Sequence, residues 1–224
     1  MGMSGVGLPT PAEKKAPAWK VGGITIVSFV ALLYVIEAVD TVMSGRLDQD
    51  GIRPLESEGL WGIIWAPLLH GGWPHLIANT VPALVLGFLV TLTGLGRFVA
   101  ATAIVWFLGG LGTWLIGDLG APSYNGMSVG TNHIGASGLI FGWLTFLIVF
   151  GFFTRSVWQI VVGVIVFFVY GSVLLGVFPG TFGVSWQGHL CGALAGIFAA
   201  YLLAGPERKA RARRKSGVPP QLAV

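Results

Sequence analysis

Ser137 lies in the segment Gly135-Ala136-Ser137-Gly138, at the head of an apolar run long enough to cross a membrane. A serine hydroxyl becomes a nucleophile only when a base takes its proton, and histidine is the usual base near neutral pH. His189 heads a second apolar run, in Gly188-His189-Leu190-Cys191-Gly192. His75 and Asn79 head a third, in Trp73-Pro74-His75-Leu76-Ile77-Ala78-Asn79. Four residues apart on a helix, they share one face and can both donate hydrogen bonds. A serine at a helix start also has free backbone amides nearby, which favour the negative charge of a tetrahedral intermediate. The four residues together point to acyl-transfer hydrolysis inside a bilayer.

Each residue also has a plainer use. Ser137 could cap its helix, and a lone histidine or asparagine could bond neighbouring helices. Four such residues at one membrane depth favour the catalytic reading. His70 and His133 read as loop-supporting residues, because each lies just before one of these runs. No His-x-x-x-His or His-Glu-x-x-His pair occurs, and Cys191 is the only cysteine. The expectation is therefore no metal, no other cofactor and no disulfide, with Cys191 as a small packing residue.

The elements that must position these groups follow from composition. The chain is 54% hydrophobic and 10% charged over 224 residues, which excludes a disordered chain and an ordinary soluble domain. A bilayer core takes about 20 apolar residues as a helix, and six stretches qualify: 21–39, 73–93, 98–117, 135–153, 157–177 and 188–205. They lack the alternation of a transmembrane barrel. The fold class expected is an all-α polytopic bundle of six transmembrane helices. Its domains are a flexible N-terminal tail at 1–20, a core at 21–205 and a basic tail at 206–224.

All lysines and arginines except Arg46 and Arg53 fall in the two tails or in the 2–3 and 4–5 turns. The positive-inside rule then puts both termini in the cytoplasm. The connections 40–72, 118–134 and 178–187 face outward, and the polar heads of spans 2, 4 and 6 meet near that side. The six basic residues of the C-terminal tail suit anionic lipid better than nucleic acid. Glu37 and Asp40 end span 1 near the outer surface, where solvation would account for them.

Spans 4 and 6 must pack closely if Ser137 is to meet His189. Gly138 and Gly142 give span 4 a small-residue face, and Gly188, Gly192 and Gly196 give span 6 another. Such faces let helix backbones approach.

These motifs resemble the rhomboid family of intramembrane serine proteases, over about residues 40–205. The match rests on Gly135-Ala136-Ser137-Gly138, on His189 with Gly192 and Gly196, and on His75-x-x-x-Asn79, with His70 five residues before His75. The resemblance implies a nucleophile at Ser137 and a general base at His189, without an aspartate. It implies an oxyanion hole of the Ser137 amide, His75 and Asn79. It also implies a first outer loop lying partly in the membrane, with span 5 and the loop 178–187 gating the site. Two positions depart from the family pattern. Trp61 is followed by Gly62 where many relatives carry arginine, which affects how the loop is anchored. Phe141 replaces a tyrosine, keeping a ring to stack on His189 but losing its hydroxyl.

The expected activity is endopeptidase cleavage of other proteins' transmembrane segments, in a multi-pass protein of a prokaryotic plasma membrane. Segments that unwind easily, with Gly, Pro or small residues near the cut, suit it best. Two other classes compete. Non-enzymatic rhomboid-like proteins bind membrane clients but typically lack the serine or the histidine, and both are present here. A transporter would call for paired interrupted helices and more intramembrane carboxylates.

Overall fold

The computed structural model describes residues 16–121, 123–124, 127–128, 130–180 and 183–215. The N-terminal tail expected to be flexible lies mostly outside these, and helix begins at Ala18, inside the expected tail. Six helices among the described residues are long and apolar enough to cross a membrane. Span 1 covers Ala18–Val42, span 2 Trp73–Leu92, span 3 Leu95–Ile116, span 4 Ser137–Thr154, span 5 Val157–Val177 and span 6 starts at Trp186. The protein is an integral, multi-pass α-helical membrane protein. The basic stretch Gly205–Lys215 is also helical. Its Glu207 pairs with Arg97, which lies in the first turn of span 3 rather than in the 2–3 turn.

Backbone chemistry sets the helix ends. Gly94, with φ of 125°, makes the tight turn between spans 2 and 3. Pro74 occupies the first turn of span 2, where a missing amide proton costs nothing. Span 3 contains a π-helical stretch at Val105–Gly109, and it sets Gly109 against span 6: a methyl on Gly109 would sit 3.3 Å from the Gly192 Cα.

Span 4 is the axis of the bundle, with 67% of its apolar window enclosed by protein against 11% for span 5. Lipid is as apolar as leucine, so burial alone does not pull helices together; close van der Waals packing does. The tightest packing joins spans 4 and 6. A methyl on Gly192 would run into the Gly138 carbonyl, and one on Gly196 into the Gly142 carbonyl. Thr145 of span 4 donates to the Ala193 carbonyl at 2.8 Å, adding a polar tie at that crossing.

The long 1–2 connection is built of short helical turns rather than open coil. Gly62 is buried there, and any side chain would strike the Gly51 carbonyl. That contact explains why arginine does not follow Trp61. Arg53 braces the loop from within, donating to Glu56 at 2.8 Å, and two indoles of span 3 anchor it. Trp106 donates to the Ile63 carbonyl and Trp114 to the Glu56 carbonyl, both at 2.8 Å.

Glu37 and Asp40 correct the sequence expectation. Both are 4% exposed rather than solvated, because the chain after Val42 folds back over the end of span 1. Asp40 accepts from the Leu47 amide at 2.7 Å and closes that turn.

Candidate active site

Ser137 is the first residue of span 4, behind Ala136 as N-cap, and no side chain caps that helix. The plainer reading of Ser137 as a cap is therefore not what the fold uses it for. First-turn amides have no carbonyl partner inside their own helix. The backbone enters through Gly135, whose φ of 115° favours glycine. Here the missing side chain also matters. A methyl on Gly135 would stand 2.8 Å from His75 Nε2 and 3.7 Å from Ser137 Oγ. Glycine at this position therefore lets the His75 ring close against the backbone just ahead of Ser137.

Ser137 Oγ lies 2.9 Å from His189 Nε2. The other ring nitrogen, Nδ1, is 3.0 Å from the Gly176 carbonyl oxygen. A carbonyl only accepts, so Nδ1 carries the proton and Nε2 presents its lone pair to the serine hydroxyl. The Gly176 carbonyl, on the 3-10 turn that ends span 5, thus orients this imidazole as a carboxylate orients the histidine of a triad. Phe141 stacks on the imidazole, with centroids 4.1 Å apart and planes 9° from parallel. The ring is held by a carbonyl at one edge and an aromatic face on one side.

His75 is half-buried and receives the Gly71 amide on Nδ1 at 3.3 Å. An amide only donates, so the proton of neutral His75 sits on Nε2, the atom beside Gly135. Asn79 is 8% exposed, and its Nδ2 has no hydrogen-bond partner among the described residues. A buried donor without a partner costs free energy in the resting protein. It is also free to donate to a group that arrives.

His70 and His133 are more tightly built in than their loop positions suggested. His70 is 1% exposed, and its Nε2 accepts from the Ala136 amide at 3.3 Å. Its ring meets His75 edge-on, with centroids 5.1 Å apart. His133 is buried and bonded at both nitrogens, to Thr131 and to Ser185. Sequence reading missed Gly176, Thr131 and Ser185 as parts of this region. Only Ser185, a serine three residues before a glycine-rich helix turn, carried a local signal, that of an N-cap.

Burial, and then the neighbouring His75, hold the His70 pKa down to about 4. In an unfolded chain histidine takes its proton near pH 6.5. His70 therefore contributes fully to stability above that pH, and the contribution is lost as pH falls towards 4, about 3 kcal/mol in all. His133, also held low by burial, acts in the same direction. Asp48 opposes them. Burial, then Asp40 and Glu37, raise its pKa to about 6, so it adds stability as pH falls below that value. The His70 and Asp48 contributions nearly offset each other, and the lowered His133 tips the fold towards acid lability. Melting temperature measured in detergent should fall between about pH 6.5 and pH 4, and less steeply in His70→Gln.

A small cavity of about 50 Å³ adjoins Ser137. Gly109, Gly135, Gly138, Gly188 and Gly192 form much of its wall, with Val105 and Ile134. Among the described residues, no group of three His, Cys, Asp or Glu side chains is arranged to hold a metal ion.

Residues 57–206 match the family described as Rhomboid domain. The chain belongs to the rhomboid family. An uncharacterized protein of Mycobacterium tuberculosis is 62% identical to this rhomboid protein over 213 residues, covering 93% of this chain and 86% of the relative. One from Mycobacterium leprae is 57% identical over 213 residues, with 93% and 82% covered. Rhomboid-like protease 5 of Toxoplasma gondii is 28% identical over 163 residues, which are 70% of this chain and 18% of that protein.

Proposed function

We propose that this rhomboid protein is an intramembrane serine endopeptidase that cuts transmembrane segments of other membrane proteins. The observation that carries the reading is the 2.9 Å contact between Ser137 Oγ and His189 Nε2, with the opposite ring nitrogen occupied by the Gly176 carbonyl. Membership of a family that includes a protease-named relative supports it.

The chemistry follows from the donor inventory. Ser137 Oγ attacks the scissile carbonyl carbon while its proton passes to His189 Nε2. The imidazolium keeps its Nδ1–H on the Gly176 carbonyl and is spread against the Phe141 ring. Negative charge gathers on the former carbonyl oxygen, and the Ser137 amide, His75 Nε2–H and the unpartnered Asn79 Nδ2 are the donors this reading assigns to it. His189 then gives its proton to the departing amine, the C–N bond breaks, and the acyl group remains on Ser137. A water, losing its proton to His189, attacks that ester, and the acid product leaves as Ser137 regains its hydrogen.

The cavity beside Ser137 favours a small side chain next to the cut. A helix exposes its carbonyls poorly, so segments with glycine or other weak helix formers should be preferred. Spans with basic connections at the opposite end support an orientation in which the site opens outward and both termini are cytoplasmic. Water can then reach the site from outside, as a polar site at membrane depth requires. Residues 21–205 form the catalytic core in this reading, and 206–224 a basic tail lying on anionic lipid in a plasma membrane.

The reading is tested by cleavage of a reporter transmembrane segment in liposomes. His75→Ala and Asn79→Ala should each lower kcat by about 10²- to 10³-fold, as expected for one oxyanion donor, with KM little changed. Equal losses in KM instead would place these residues in substrate binding rather than at the reacting oxygen.

A further inference from the structure

Two hydrogen bonds join the head of span 4 and the residues just before it to the head of span 6. The first is Ser137 Oγ to His189 Nε2, at 2.9 Å. The second is His133 Nδ1 to Ser185 Oγ, at 2.6 Å. Each partner of the second bond stands four residues before its counterpart in the first.

The second bond belongs to a longer chain whose proton order is forced at both ends. At one end Asp118 Oδ1 accepts from the Thr131 amide at 3.0 Å and from Thr131 Oγ1 at 2.7 Å. A carboxylate only accepts, so the Thr131 hydroxyl spends its hydrogen there. Thr131 Oγ1 must then accept from His133 Nε2, 2.7 Å away. Burial holds the His133 pKa down, so its imidazole has a single N–H, and that hydrogen is now on Nε2. Nδ1 is left as an acceptor, and the Ser185 hydroxyl donates to it. At the far end the Gly188 amide donates to Ser185 Oγ at 3.1 Å. The Ser185 carbonyl meanwhile accepts the amide of His189 itself, at 3.0 Å. The donors and acceptors along the line run in one consistent direction, with Asp118 Oδ1 accepting twice, and the Gly117 carbonyl, which only accepts, also bonds the His133 ring. His133 is anchored in turn, because its backbone exchanges both hydrogen bonds with Ile52 of the 1–2 loop.

We propose that His133 is a positioning residue for the base: with Asp118, Thr131 and Ser185 it forms a proton-ordered strut that sets the first turn of span 6, and so His189, at hydrogen-bond distance from Ser137. The proposal rests on the Ser137–His189 reading above. Without the strut, Ser185 can still cap the helix, and Gln187 Nε2 still donates to the Gly117 and Leu119 carbonyls at 2.7 and 2.8 Å, but the cap loses its bond to His133, the partner that stands just before span 4.

The test compares two isosteres in the full-length protein. Asparagine at 133 offers its Oδ1 near the place of Nδ1, towards Ser185; glutamine offers its amide nearer the place of Nε2, towards Thr131. His133→Gln should lower both kcat and the rate of fluorophosphonate labelling by about 10- to 100-fold, the scale of a misplaced catalytic group, with KM unchanged. His133→Asn should retain most of both rates. Asp118→Asn should also remain near wild type, since its amide oxygen still accepts from Thr131. Wild-type rates in His133→Gln, or equal losses in Gln and Asn at unchanged melting temperature, overturn the proposal. If both isosteres unfold, Ser185→Gly carries the same expected loss, because glycine serves almost as well as an N-cap but cannot reach His133. Nitrogen NMR of His133 provides a reading independent of activity: a proton on Nε2 with bare Nδ1 is expected, and the reverse tautomer overturns the strut. Wild-type protein that takes up no label would sink the hydrolase reading, and the His133 tautomer would then decide the strut alone.

Discussion

Ser137→Ala should abolish fluorophosphonate labelling and lower kcat on a transmembrane reporter by at least about 10⁴-fold, and His189→Ala should do nearly the same. The reasons differ. Removing the serine oxygen leaves nothing to form the acyl-enzyme, while removing the imidazole leaves a hydroxyl whose proton has nowhere to go. Because the two act as one unit, the double mutant should be no slower than either single one. An additive double mutant would mean that one of them works by another route. Residual turnover would come from the groups that face the substrate oxygen, and so should vanish when His75→Ala is added. Phe141→Ala belongs with this series as a milder case, since the Gly176 carbonyl still holds Nδ1 after the stacked ring is gone. If Ser137→Ala cleaves the reporter at the wild-type rate, the nucleophile assignment fails. Folded wild-type protein that neither labels nor cleaves would favour a client-binding role.

Gly192→Ala should also damage activity, although it touches neither reacting atom. Its methyl group would collide with the Gly138 carbonyl and lie 3.1 Å from the Gly138 Cα. Backbone cannot swing aside as the end of a side chain can, so spans 4 and 6 must separate. Overpacking of this kind costs about 1–3 kcal/mol of stability. The catalytic cost is larger, because the collision lies one turn below His189 and moves it away from Ser137. A displacement near 1 Å is enough to lower kcat by about 10²-fold. The same methyl at Gly180, where nothing stands within 4 Å, is the control and should change neither property. A Gly192→Ala protein with wild-type kcat would show that the crossing tolerates more separation than the contact implies.

The six apolar runs, the family motifs and the positions of the polar heads were legible in the chain because each is a local pattern. Hydrophobic length reports a membrane span directly, since a bilayer tolerates almost no other backbone than helix. The glycine spacings on spans 4 and 6 were legible for a similar reason, as small residues four apart mark a face where backbones can touch. Tertiary structure alone decided how the His189 ring is held. The Gly176 carbonyl leaves no trace in sequence, because every residue carries the same backbone acceptor and only the fold selects one. It also decided that Glu37 and Asp40 are enclosed, since burial there depends on the path of the chain after Val42. His133 and Ser185 are 52 residues apart, and nothing local announces that two loop residues will meet. What could be read from sequence is what each residue can do; which partner it does it with is set by long-range packing.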